Sequence, residues 1–234
     1  MLKEELIQRS PVRVFMNSIH GGLKAGELGL IASPSGIGKT SVLVQIALDK
    51  LLQDKKVIHI SFTRHTDHVL AWYGNIFTEF TRKKNLENEQ EIKNDIVKNR
   101  VLMKFTQEGI SSEQILRSLR ALIKDGGFNA EVIIIDGFDF LTAEQSHVSA
   151  IKSFAEEMGI SVWYSCNVNA EELYSEQQSF PSGIKSFAHY FSVIIVLEPK
   201  NDHIALSVSR DKAAFNPENL ALKLDPRTLL ILEK

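Results

Sequence analysis

The feature that most constrains the fold of this 234-residue chain is the octapeptide Ser-Pro-Ser-Gly-Ile-Gly-Lys-Thr at residues 33–40. A short apolar run over residues 28–32 precedes it, and an amphipathic stretch over residues 39–52 follows. This order predicts a buried strand, a tight loop and a helix. Except for Ser33, which stands where the pattern has glycine, the octapeptide matches the phosphate-binding loop G-x-x-x-x-G-K-[ST]. The sequence therefore predicts a site for a phosphorylated ligand.

The residue types in this loop suit contact with phosphate. Backbone N–H groups at the start of a helix face an anion, and the helix dipole adds to the attraction. Glycines at positions 36 and 38 allow unusual backbone angles and a close approach to the ligand. We expect the lysine to reach the β- and γ-phosphates and the threonine to bind Mg²⁺ through its hydroxyl. The predicted nucleotide-binding residues are Ser33, Pro34, Ser35, Gly36, Ile37, Gly38, Lys39, Thr40 and Ser41.

A second candidate metal ligand is Asp136, which directly follows the apolar run Val-Ile-Ile-Ile at residues 132–135. That run predicts a buried strand, so the carboxylate lies at the carboxyl end of the strand. Ligands of open parallel sheets bind at this edge. A carboxylate there holds Mg²⁺ through a water molecule, which is the Walker B role.

Strands and helices are predicted to alternate along most of the chain, with consecutive strands near its end. The pattern indicates an α/β fold, a mostly parallel sheet flanked by helices with an antiparallel C-terminal extension. We interpret residues 1–20 as a lead-in and residues 82–100 as an exposed helical excursion. The predicted strands are 28–32, 57–62, 101–105, 132–135, 160–165, 193–197 and 204–209, and the predicted helices are 39–52, 69–80, 111–123 and 146–157.

Composition excludes several other classes of protein. A formal net charge of −2 excludes a generally basic nucleic-acid binder, although it leaves room for a local basic groove. A single cysteine, Cys166, excludes an intramolecular disulfide and a cysteine-rich zinc site. Neither a signal peptide nor an apolar run of about 18 residues is visible. We therefore expect a cytoplasmic protein with no membrane partner.

The segment Gly-Gly-Leu-Lys-Ala-Gly-Glu-Leu at residues 21–28, running directly into the loop, resembles the entry to a RecA-like ATPase core. The similarity is to the KaiC-type ATPases and to the C-terminal motor domain of DnaB-type replicative helicases, and it spans about residues 18–234. It implies a single RecA-like domain over residues 21–234 that binds ATP and Mg²⁺. It also implies that Asn167 senses the γ-phosphate, and that Arg210 and Lys212 reach the nucleotide of a neighbouring subunit in a ring or filament of identical chains.

Two departures from this family bear on activity. Where the family carries the glutamate that polarises the attacking water, this chain has Thr63, and a hydroxyl without a partner base takes up a proton poorly. Asp139 is either a substitute base or a surface carboxylate. The loop at residues 170–184, which faces nucleic acid in helicases and recombinases of this class, carries three glutamates and no Lys or Arg. That charge disfavours contact with a phosphate backbone.

The leading hypothesis is an ATP-binding protein with weak or absent hydrolysis that serves as a nucleotide-dependent assembly or regulatory module. The alternative is an active ATPase linked to DNA, a helicase-like or recombinase-like motor core with a relocated base. A third hypothesis is an interaction protein that has kept only the fold.

Overall fold

The strands form a single sheet with helices on both faces in the computed structural model, which describes residues 3–8, 10–62, 66–82, 88–106, 111–169, 182–211 and 218–233. The strands are β1 (Leu28–Ser33), β2 (Lys56–Ser61), β3 (Arg100–Lys104), β4 (Ala130–Asp136), β5 (Ser161–Asn167), β6 (Phe191–Pro199), β7 (Ile204–Asp211), β8 (Glu218–Leu224) and β9 (Ile231–Glu233). The helices are α1 (Lys3–Gln8), α2 (Pro11–Ser18), α3 (Lys39–Leu52), α4 (Thr66–Thr81), α5 (Glu89–Lys98), α6 (Ser112–Arg120) and α7 (Gln145–Met158).

The strand order is β3-β2-β4-β5-β1-β6-β7-β8-β9. All pairs from β3 to β6 are parallel, and β7, β8 and β9 continue the sheet in antiparallel pairs. This arrangement confirms the predicted α/β class with its antiparallel C-terminal extension. Because Ser33 of β1 lies opposite Asn167 of β5, and Ser61 of β2 lies opposite Asp136, the ends of these strands meet at one edge of the sheet.

Each face of the sheet has its own apolar core. Side chains of α2, α3, α4 and α5 pack on one face, and those of α6 and α7 pack on the other. Successive residues of one strand enter different cores, as Leu30 and Ile31 of β1 do. Burial on both faces is the reason that the central parallel strands are mostly apolar instead of alternating regularly with polar residues.

Two short helices, α1 and α2, precede the phosphate-binding loop, and α2 packs into the core. Helix α2 has proline at its first turn, and Ser10 caps it through a hydrogen bond from the Val12 N–H at 3.3 Å. Val12, Phe15 and Ile19 are fully buried in the core around α3. Their three- and four-residue spacing is the periodicity of a helix with one apolar face.

The excursion predicted over residues 82–100 is helical, as α5 shows, and most residues of this helix are exposed, but one narrow face of it is attached to the core. This helix buries Ile92 and Ile96 in the same core as α3, while Val97 is exposed. An i, i+4 apolar pair is enough to attach a short charged helix along one narrow face. In the described part of the chain, no helix is both long enough and apolar enough to cross a membrane.

Candidate nucleotide-binding site

The loop between β1 and α3 has the backbone that phosphate contact requires. Gly36 and Gly38 have φ angles of 80° and 109°, which favour glycine. At Gly38 a Cβ atom would also lie 2.7 Å from Cδ2 of Leu224, so a side chain there would require Leu224 to shift. Gly38 is the N-cap of α3 and supplies no capping side chain. The first N–H groups of the helix are therefore not capped by this residue and can face an anion.

Lys39 is folded back onto the loop that it belongs to. Its ammonium donates hydrogen bonds to the carbonyl of Ser33 at 3.0 Å, to the hydroxyl of Ser33 at 3.1 Å and to the carbonyl of Pro34 at 2.8 Å. Burial lowers the pKa of Lys39 from 10.5 to about 8, although the charge of Asp136 acts in the opposite direction. The side chain therefore remains mostly cationic near neutral pH. A phosphate would be a stronger partner for it than these neutral oxygens.

Thr40 and Asp136 meet across the start of α3 and the end of β4. The Thr40 hydroxyl donates a hydrogen bond to Oδ2 of Asp136 at 2.8 Å. The other oxygen, Oδ1, accepts a hydrogen bond from the Ser165 hydroxyl at 2.6 Å. Asp136 is only 2% exposed, so its carboxylate is held by these neighbours rather than by bulk water.

This donor set fits Mg²⁺. The cation prefers hard oxygen ligands, and it is held by one or two protein groups together with phosphates and water rather than by a complete protein cage. The hydroxyl of Thr40 and the carboxylate of Asp136 are such oxygens. Within the described residues, no group of three or more His, Cys, Asp or Glu side chains could hold a metal ion on its own.

These residues line a cavity of about 280 Å³ at the carboxyl edge of the sheet. Most of the residues that the sequence predicted for the site line this cavity, and several residues that were not predicted line it as well. The predicted members are Ser35, Gly36, Gly38, Lys39, Thr40, Ser41, Asp136 and Asn167. The additional members are Trp72, Gly137, Ser165 and Leu229. Trp72 reaches the cavity from α4.

A turn near the C-terminus closes one side of the cavity and is fixed to α3. The carbonyl of Leu229 accepts hydrogen bonds from the Ser41 hydroxyl at 2.6 Å and from Nε2 of Gln45 at 2.9 Å. Oε1 of Gln45 accepts a hydrogen bond from the Ile231 N–H at 2.9 Å. No motif in the sequence pointed to this connection, because Ser41 and Leu229 are 188 residues apart and the turn contributes only backbone atoms to it.

Asn167 and Asp139, both proposed from the sequence, occupy different surroundings. Asn167 is exposed at the end of β5 and lines the cavity. Asp139 is not among the described residues that line it. Its carboxylate accepts hydrogen bonds from the Leu141 N–H at 3.0 Å and from the Thr142 hydroxyl at 2.9 Å. These bonds hold the turn that follows β4.

Arg210 also lies outside the described lining of the cavity. It is on β7, and its Nη1 donates a hydrogen bond to the carbonyl of Ala188 at 2.6 Å. Burial lowers the pKa of its guanidinium. Lys212, Thr63 and residues 170–181 of the acidic loop fall outside the described residues, so the expectations placed on them stay predictions.

Comparisons with known proteins support the fold through structure rather than through sequence. No protein-family model matches the chain, and no curated protein matches its sequence. Among solved structures, the chain is similar to the ATPase domain of a DnaB-like helicase, with a TM-score of 0.71 and 13% sequence identity. The match covers 96% of this chain and 90% of the other. At that identity the likeness shows the fold alone, which is a mostly parallel sheet flanked by helices with antiparallel C-terminal strands.

Proposed function

We propose that this protein binds Mg²⁺ and ATP at the phosphate-binding loop, hydrolyses ATP weakly or not at all, and acts as a nucleotide-dependent assembly or regulatory module. The observation that carries the proposal is the convergence of Lys39, Thr40 and Asp136 on one cavity beside a glycine-rich helix start. A cation, a hydroxyl and a carboxylate in this order suit a polyphosphate with its metal. The choice of adenine over guanine rests on the family resemblance.

Each side chain has a distinct task in binding. Lys39 would exchange its bonds to the Ser33 and Pro34 oxygens for bonds to phosphate oxygens. Thr40 and Asp136 would hold Mg²⁺, directly and through water respectively. When bound, Mg²⁺ neutralises charge on the β- and γ-phosphates. Asn167 would report on the γ-phosphate from the end of β5.

We expect weak hydrolysis because the described residues place no general base other than Asp136 at the cavity. In the described part of the chain, Asp136 is the only carboxylate that lines the cavity, and both of its oxygens already accept hydrogen bonds. Asp139 is engaged by its own turn. With threonine at position 63, the missing general base is worth about 10²- to 10⁴-fold in rate.

The test measures ATP binding and turnover on the same preparation. We expect Mg²⁺-dependent binding that Lys39→Ala abolishes, together with turnover well below about 1 per second, the lower end of the range for kinases. Asp139→Asn is the matched variant, because it removes the carboxylate that the sequence offers as a substitute base. Robust hydrolysis that Lys39→Ala abolishes and Asp139→Asn leaves intact would contradict weak hydrolysis and would also exclude Asp139 as the base.

Assembly into a ring or filament of identical chains is part of this proposal. If Arg210 or Lys212 reaches the nucleotide of a neighbouring subunit, the site is complete only between subunits. Nucleotide would then promote assembly. Light scattering with and without ATP measures this directly, and an unchanged mass in both conditions would contradict it.

A DNA-linked ATPase is the second candidate, and the similarity to the helicase ATPase domain favours it. This candidate requires hydrolysis that DNA stimulates. Electrostatic binding to DNA is strongest at low salt, so the assay belongs there. The glutamates of residues 170–184 disfavour it, and the absence of any DNA effect at low salt would argue against it.

A further inference from the structure

Ser165 is a buried polar residue of β5 to which none of the predicted roles in nucleotide binding is assigned. It is 2% exposed, and its hydroxyl makes two hydrogen bonds that bridge β5 and the end of β4. The hydroxyl donates to Oδ1 of Asp136 at 2.6 Å, and it accepts from the N–H of Gly137 at 2.8 Å. Both the carboxylate and the N–H that follows it are thus held by one side chain.

Each of the two carboxylate oxygens of Asp136 accepts a hydrogen bond from a different side chain. Ser165 holds Oδ1, while Oδ2 is bonded to the Thr40 hydroxyl at 2.8 Å. Rotation of the carboxylate about its Cβ–Cγ bond would break both contacts at once. Oδ2 is therefore fixed on the side of Thr40, which is the other expected magnesium ligand.

Packing alone does not require a serine here. An alanine would fill nearly the same space, but it would leave Oδ1 of Asp136 without this donor and the Gly137 N–H without this acceptor. Residues that hydrogen-bond to a metal ligand orient that ligand. The loss of one such residue lowers the metal affinity or the activity about 10- to 100-fold. The hydroxyl therefore matters for the direction in which the carboxylate points.

We propose that Ser165 is a positioning residue that fixes the carboxylate of Asp136 for Mg²⁺ bound with nucleotide. This inference rests on the proposed function. Ser165 lies two residues before Asn167 on the same strand, so it also ties the orientation of Asp136 to the strand that carries the expected γ-phosphate sensor.

The test is a calorimetric titration of a slowly hydrolysed ATP analogue at a series of Mg²⁺ concentrations, with and without chelator. Ser165→Ala should raise the Mg²⁺ concentration for half-maximal binding by about tenfold. Its affinity for the analogue without Mg²⁺ should stay within about twofold of the wild type, because Lys39 and the loop amides are untouched. Ser165→Thr keeps the hydroxyl and should restore the wild-type dependence on Mg²⁺.

Ser161→Ala is the matched control, since Ser161 is on the same strand and its hydroxyl donates to the Glu131 carbonyl at 3.3 Å. It should behave as the wild type. If Ser165→Ala does not fold, Ser165→Cys replaces it, because a thiol is a weak donor.

The outcomes separate this inference from the proposed function. Wild-type binding with an unchanged Mg²⁺ dependence in Ser165→Ala would overturn only the role of Ser165. An equal loss of affinity with and without Mg²⁺ would do the same, since it marks a general structural defect. Absence of Mg²⁺-dependent nucleotide binding by the wild type would overturn both.

Discussion

Acidification should destabilise this protein through His59, a fully buried residue of β2. Its Nδ1 lies 3.1 Å from the Tyr73 hydroxyl, and its Nε2 has no hydrogen-bond partner in the described part of the chain. Burial lowers the pKa of His59 from 6.5 to about 4. The imidazole is therefore neutral in the folded protein at a pH where it is charged in the unfolded chain.

The size of the effect follows from proton linkage. Between pH 6.5 and about 4 the unfolded chain binds a proton on His59 that the folded protein does not bind. The free energy of unfolding therefore falls as the pH is lowered through this window. With these two pKa values, the share from His59 amounts to about 2 kcal/mol between about pH 7 and about pH 5.

Urea unfolding at several pH values measures this loss. The matched variant is His59→Leu combined with Tyr73→Phe, which removes the imidazole and its hydroxyl partner together and so leaves no new unpaired polar group between them. Every other group that titrates between about pH 7 and about pH 4 is present in both proteins, so the difference between their pH slopes reports on His59 and its neighbours Asp136 and Arg100. Parallel slopes in the two proteins would refute the assignment of a depressed pKa to this histidine.

Three further predictions concern the site. Gln45→Ala removes both hydrogen bonds to the C-terminal turn and should lower the free energy of unfolding, measured with urea, by about 3 kcal/mol. Gln90→Ala on α5, whose side chain is exposed, should lower it by less than about 1 kcal/mol. Thr63→Glu should raise single-turnover ATP hydrolysis at least about tenfold, and an unchanged rate would show that the absent base does not limit the reaction. Nucleotide should change the fluorescence of Trp72→Phe less than that of Trp163→Phe, since only Trp72 lines the cavity; equal responses would place the nucleotide elsewhere.

Local patterns predicted the frame of the site well. The phosphate-binding loop, β1 and α3 follow from contiguous residues, and α3 has the predicted bounds 39–52. The start of α6 also agrees with the helix predicted over residues 111–123, and a capping box of Ser111 and Gln114 marks it. Such a motif can be recognised in a sequence because the loop, the helix start and the apolar run each require particular residue types at neighbouring positions.

Contacts between distant segments were not predictable in the same way. The bond from Ser165 to Asp136 joins two strands, and a serine two residues before the predicted sensor has no distinctive spacing. The turn around Leu229 enters the site through a backbone carbonyl, which any residue has. Phe15 of α2 was overlooked because a single helix of 8 residues offers few periods to recognise.

The most direct test of the account is a crystal structure with Mg²⁺ and a non-hydrolysable ATP analogue. We predict phosphates on the backbone N–H groups of the loop, the Lys39 ammonium on phosphate oxygens, and Thr40 and Asp136 at the metal. No carboxylate should lie within hydrogen-bond reach of the γ-phosphate or of the water positioned to attack it. A carboxylate at that water, or a nucleotide bound away from the loop, would contradict the proposal of a nucleotide-binding protein with weak hydrolysis.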